Sequence, residues 1–246
     1  MSSGLLGKKI GMTQVFNEDK RIVVTAIEAG PCYVLGENDK KIQLGFEEVK
    51  DSKLKKPQRD FFKKIKVKPL RFIREFLKDA GSQYQIGQEL KADLFASGNF
   101  VDITGISIGK GFQGGMKRWH WKGGPKTHGS MSHRRPGAIG SSSDPSRVFK
   151  GHHLPGHMGA QRVTVQNLKV IKTDAENNII LVKGAVPGHR NSLLVINFAK
   201  KKSRMPVDEP KTEAKAEIKA EAKKETKAKP EPKKAAKQEA KKETKK

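Results

Sequence analysis

The chain has 246 residues, 35% of them hydrophobic, with 51 Lys and Arg against 26 Asp and Glu, a formal net charge of +25 and one cysteine. That length carries one or two domains with a real core, and the charge demands a polyanionic partner, nucleic acid before an anionic membrane, because so large an excess repels itself when no counter-charge is bound. The lone Cys32 excludes an intrachain disulfide and a multi-cysteine zinc module, no run approaches the ~18 apolar residues of a membrane-spanning helix, and "MSSGLLGKKIGMTQVF" lacks the apolar core of a signal peptide, so a cytoplasmic protein is expected.

The first strand signals are "RIVVTAIEA" (21–29), closed by Gly30-Pro31, and "KIQLGF" (41–46). Pro57 opens a short helix through about Ile65, after which "LRFIREF" (70–76) alternates like a strand. "NFVDITGISI" (99–108) follows, then, after a long interruption, "RVTVQNLKVIK" (162–172), "NIILVKGAV" (178–186) and "SLLVINFA" (192–199). In "VTVQNLKV" the apolar residues sit at 163 and 165, then at 168 and 170, so the phase slips near Gln166-Asn167 as it does at a β-bulge. Many short strands at close spacing predict a mainly β body, a barrel or a sandwich, with no internal repeat. The predicted organisation is a body over 1–108 and 163–200, with a small inserted segment at about 45–98, an extension over 109–162 and a tail over 201–246.

Residues 109–162 break the pattern. They hold 12 of the 24 glycines, prolines 125, 136, 145 and 155, both tryptophans and six of the seven histidines. Ten basic residues stand there against one acid, Asp144, a net of +9. Neither a helical nor a strand period is present, and so few apolar residues cannot offset the entropy of ordering the chain. A loop this long is functional or disordered, and here it is expected to fold upon a partner.

Three chemical readings compete there. Gly109, Gly111 and Gly114 spell G-x-G-x-x-G after a strand, the dinucleotide fingerprint. The following "GMKRWHWKGGP" has no apolar helical stripe, and no acid lies between Asp102 and Asp144 to bind a ribose. His128, His133, His152, His153 and His157 suggest a metal, yet no cysteine is near and ten cations would repel a divalent ion. Ser130, Ser132 or Ser141–Ser143 with His128 or His133 make nucleophile–base pairs on paper, without the rigid supporting shell that catalysis needs. No catalytic residue, metal or cofactor is therefore assigned.

Nucleic-acid binding accounts for all the features together. Arginines give forked phosphate donors and lysines point charges. Trp119, Trp121 and the histidines give flat surfaces for splayed or single-stranded bases, and glycine allows close approach. The tail, with 17 basic and 9 acidic residues from Lys201 to Lys246, places Glu213, Glu217, Glu221 and Glu225 at like-charge helical spacing and carries Pro230 and Pro232. It is expected to be mostly disordered, a polycation of low specificity.

"GLLGKKIGMTQVF" (4–16), "GISIGKGFQGGMKRW" (105–119), "THGSMSHRRPGAIG" (127–140), "VFKGHHLPGHMG" (148–159) and "LVKGAVPG" (181–188) together resemble the ribosomal protein L3 family in its bacterial form, collinearly over about residues 4–199. The resemblance implies a β-barrel of the type shared by several translation proteins, with a long irregular basic extension that threads toward the peptidyl-transferase centre. It also implies direct binding of 23S rRNA, a part in early subunit assembly, and large-subunit proteins of the L14 and L19 type as neighbours. "RRPGAIGSSSDPSRVFKG" would be the far end of the extension. Many members carry a methylated glutamine at the position matching Ser143, which this chain cannot carry there.

The expectation is a structural, non-enzymatic, rRNA-binding protein. Its candidate contacts are Lys8, Lys9, Lys110, Lys117, Arg118, Trp119, Trp121, Lys122, Lys126, His128, His133, Arg134, Arg135, Arg147, Lys150, His152 and His153. The alternatives are a DNA-compacting protein acting through the tail, and an enzyme using the glycine motif or the Ser/His pairs.

Overall fold

The computed structural model describes residues 4–17, 20–78 and 83–202. The second of the chain's two units, Val207–Lys246, lies outside them, and with it the expectation of a disordered tail.

The body is mainly β. Its strands are β1 (Gly4–Asn17), β2 (Lys20–Ala29), β3 (Cys32–Glu37), β4 (Lys41–Glu48), β5 (Leu70–Leu77), β6 (Glu89–Leu90), β7 (Phe100–Ile106), β8 (Gly111–Gln113), β9 (Gly156–Met158), β10 (Arg162–Asp174), β11 (Ile179–Lys183) and β12 (Leu193–Phe198). Six of them close a barrel in the order β1-β12-β7-β10-β11-β2, every neighbour antiparallel. Alternation decides the inside: Ile180 and Val182 of β11, and Leu194 and Ile196 of β12, are fully buried while their neighbours are not.

The expected bulge falls where the phase slips. The β10–β7 register shifts between Val165 and Leu168, and Asn167 takes a positive φ of 58°. The Asn167 N–H donates to Oδ1 of Asp102 at 2.8 Å, and the Lys200 N–H donates to its Oδ2 at 3.3 Å. Asp102 is buried, so these two donors offset the loss of water around its carboxylate.

A second sheet, in the order β5-β4-β3-β6, packs on the barrel through one continuous core. Its Val34, Ile42, Leu44 and Phe76 share that core with Leu5, Leu6 and Ile196 of the barrel. Helix α1 (Lys56–Ile65) begins with Pro57 in its first turn, as expected, and seats Phe62 beside Leu35, Leu54 and Leu70.

The chain leaves the barrel at the end of β7 and returns at the start of β10. Residues 109–162 were expected to lack regular structure, and at their base they do not. Strands β8 and β9 pair antiparallel, with Phe112 opposite His157, and the five-residue helix α2 (Gly115–Trp119) follows β8. The ladder continues the β7–β10 pair: the Ser107 N–H donates to the Gln161 carbonyl at 2.9 Å, and the Lys110 N–H to that of Met158 at 2.9 Å. Three-residue strands are too short to leave a period in the sequence.

Candidate nucleic-acid interface

The base of the extension is held by the β8–β9 ladder and by side chains rather than by an apolar core. The Leu154 carbonyl accepts two bonds from the opposite arm, from Arg118 Nη1 at 2.8 Å and from Trp119 Nε1 at 2.9 Å. The Trp119 indole stacks on the His153 ring, centroids 4.0 Å apart and planes 9° apart, and the Arg118 guanidinium lies 5.0 Å from the indole centroid. One step outward, Gly115 is buried beneath Trp121. A Cβ built there would meet the adjoining ring atoms Cε3, Cζ3 and Cη2 at 2.2–2.3 Å, so the indole lies face-on against the glycine.

Farther along, the arms touch through backbone. The Gly124 N–H donates to the His133 carbonyl at 3.1 Å, and the His133 Nδ1–H donates to the Pro125 carbonyl at 2.9 Å. Side chains at 123 or 124 would strike the carbonyl oxygens of His133 or Ser132 at 2.5–2.6 Å. The glycine pairs Gly114-Gly115 and Gly123-Gly124 were the signal in the sequence for these contacts. Leu154, whose backbone ties the stem, left none.

The electrostatics are one-sided. Lys110, Lys117, Lys122, Lys126, Arg134, Arg135, Arg147 and Lys150 are exposed, and among the described residues no ion pair involves 109–162. The ion pairs belong to the body, where Lys78 meets Glu37 and Lys41 meets Glu75 at 3.0 Å. Lys78 and the Tyr84 N–H hold the Glu37 carboxyl below the usual carboxylate range.

The structure brings some of the predicted contacts together and separates others. Lys9 lines a cleft of about 550 Å³ at the foot of the extension, with Lys110, Arg118 and Trp119. Its ammonium is already engaged, donating to the carbonyls of Val186 at 2.7 Å and Gly188 at 2.9 Å, and burial lowers its pKa. Lys8 stands apart, paired with Glu47 at 3.4 Å. Trp121, Arg135, His152 and His153 line a second cleft within the extension. His128, Arg134, Arg147 and Lys150 lie exposed along the remainder. Phe112, 76% exposed, and Met131, 87% exposed, are apolar surfaces that the sequence reading left aside.

The G-x-G-x-x-G stretch opens no long helix. Gly111 pairs with Met158 in the β8–β9 ladder, and α2 ends after five residues. Among the described residues no group of three or more His, Cys, Asp or Glu stands together to hold a metal, and no helix is long and apolar enough to cross a membrane. The arrangement is a hydrogen-bonded foot carrying an exposed, acid-poor arm, suited to phosphates and unpaired bases.

Comparison with known proteins agrees with this chemistry. The family model described as ribosomal protein L3 matches residues 72–177. The chain is 51% identical to the large ribosomal subunit protein uL3 of Carboxydothermus hydrogenoformans over 208 residues, covering 82% of this chain and 99% of the relative. It is 48% identical to uL3 of Thermosipho africanus over 203 residues, 80% of this chain and 98% of the relative. With uL3 of Desulfitobacterium hafniense it shares 52% identity over 203 residues, 80% of this chain and 95% of the relative.

Proposed function

The chain belongs to the ribosomal protein L3 family, and we propose from that premise that the protein binds 23S rRNA directly and promotes early assembly of the large subunit, and that its extension, residues 109–162, reaches toward the peptidyl-transferase centre. The protein is a structural, non-enzymatic constituent of the large ribosomal subunit, with rRNA and neighbouring ribosomal proteins as its partners. Proteins of the L14 and L19 type are the proposed neighbours.

One observation carries the reading: ten basic residues with a single acid stand on an arm in which, among the described residues, no cation forms an ion pair. Such an arm binds where phosphates converge, because each neutralised phosphate releases a condensed counterion. The barrel supplies an anchor, and the clamped stem sets the direction in which the arm leaves it. Lys110, Lys117, Lys122, Lys126, Arg134, Arg135, Arg147 and Lys150 are the proposed phosphate contacts. His128, His133 and His152 are the proposed contacts to bases. Trp119 and His153 give each other a stacking face and so act chiefly by holding the stem, while Lys9 serves the 186–188 turn.

Competition decides between this and DNA compaction through the tail. Folded 23S rRNA should displace the full chain from duplex DNA, and a chain ending at residue 200 should keep most of its rRNA affinity. Loss of all rRNA binding with the tail would overturn the proposal in favour of the polycation. A saturable dinucleotide site seen by calorimetry would overturn it in favour of an enzyme.

A further inference from the structure

Between segments 121–124, 132–138 and 152–153 lies a cleft of about 550 Å³, within the ~300–1,000 Å³ range of sites that hold small molecules. We propose that this cleft receives one unstacked base of an RNA strand, a proposal that rests on the extension binding RNA.

The walls are those a base requires. Trp121 has one indole face against Gly115, which fixes the ring, and its remaining surface lines the cleft. The His153 ring is fixed as well, by its stack on Trp119, and His152 stands beside it. Two rings held by contacts within the protein reduce the entropy of ordering them on binding. Arg135 adds a flat guanidinium, which stacks on a base or pairs with its edge. Gly123, Gly124 and Gly137 leave bare backbone along the lining, so peptide groups are within reach of the polar edge of a base.

Charge selects a base on a strand over a free aromatic molecule. Lys122 follows Trp121 in the chain and Arg134 precedes Arg135, and both are exposed. A strand that inserts a base thus finds cations on two sides for its flanking phosphates. A regular duplex cannot offer a ring face here, because its bases are stacked on one another. A basic protein segment is repelled by an extension of net charge +9.

The test compares oligoadenylate with an abasic ribose-phosphate chain of equal length, each titrated into the full chain. Charge, including that of the Lys-rich tail, is common to both probes, so their difference isolates the bases. Both tryptophans of the chain stand at this site or beside it and report by fluorescence. The abasic chain should bind roughly ten-fold more weakly and quench little, since stacking one base on an aromatic ring contributes ~1–3 kcal/mol. Gly137→Leu should narrow the cleft and shrink the difference. A Cβ at Gly137 meets nothing within 4 Å, so the variant is expected to fold. Equal affinity for the two probes would overturn the base site while leaving RNA binding intact. A difference undiminished in Gly137→Leu would place the base elsewhere and overturn this cleft. Binding of neither probe would overturn the RNA-binding reading itself.

Discussion

Trp119 and His153 lie 34 positions apart in the chain and stack ring on ring, 4.0 Å between centroids. With the two bonds to the Leu154 carbonyl they close the base of the extension without an apolar core. Trp119→Phe keeps a six-membered ring to stack and removes the Nε1–H together with the rest of the five-membered ring. Losing one such bond costs ~0.5–1.5 kcal/mol, which should speed hydrogen exchange of the Lys110 amide, bonded to Met158, about two- to ten-fold. The Val170 amide of the barrel, bonded to Asn99, should keep its rate. Unchanged exchange at Lys110 would show that the indole donor does not hold the stem.

Adjacent glycines should respond in opposite ways. A Cβ at Gly115 would sit 2.2–2.3 Å from three atoms of the Trp121 ring, whereas one at Gly114 meets nothing within 4 Å. Gly115→Ala should displace the indole at a local cost of ~1–3 kcal/mol, shift tryptophan emission to the red and weaken RNA binding, while the barrel melts as before. Gly114→Ala should do none of this. Matching emission spectra for the two variants would contradict the face-on packing.

Short runs rich in β-formers and bounded by turn residues made β2, β4, β7, β10, β11 and β12 legible, and alternation made β5 so. The bulge at Asn167 was legible too, because a phase slip is written in the side chains themselves. Strand β1 was not. Gly4, Gly7 and Gly11, with Lys8-Lys9 between, leave no run of β-formers there, yet partners on both edges make it a barrel strand. Glycine is what that position tolerates: a Cβ at Gly7 would lie 2.7 Å from the Glu28 carbonyl oxygen. Strand β3, "CYVLGE", was missed because six residues after a Pro and interrupted by Gly36 leave no clear alternation. In the extension the residue types announced charge and flat surfaces. That the tryptophans would also build the stem was not written there, since the partner of the Trp119 donor is a backbone carbonyl 35 residues away.

Cys32 is fully buried against the Leu6 carbonyl, and burial pushes its thiol from the ordinary 9.0 up to about 12. The folded protein should resist iodoacetamide at ~pH 8, where only an exposed thiolate reacts, and should be labelled once urea unfolds it. The sign of the linkage follows from the raised value. The stability this thiol contributes is fully present below 9.0, the unfolded value, and is lost as pH rises toward about 12. Unfolding midpoints in urea should therefore fall over that interval, and Cys32→Ala should remove part of the fall. Equal slopes for the two proteins would mean that the thiol does not titrate with unfolding.

Arg134 and Arg135 are exposed neighbours on the arm, with no ion pair to either among the described residues. If both meet phosphate, replacing them with Ala should weaken rRNA binding and flatten its dependence on salt. Each lost contact should change the slope of log affinity against log salt by roughly 0.7–0.9. The single variants separate two roles. Arg134→Ala should change the slope alone, because Arg134 does not line the cleft. Arg135→Ala should also narrow the gap between oligoadenylate and its abasic counterpart, because Arg135 lines the cleft beside Trp121. Filter-binding titrations across a salt series would measure both quantities. A double variant that binds more weakly at every salt concentration with an unchanged slope would show that these arginines do not touch phosphate.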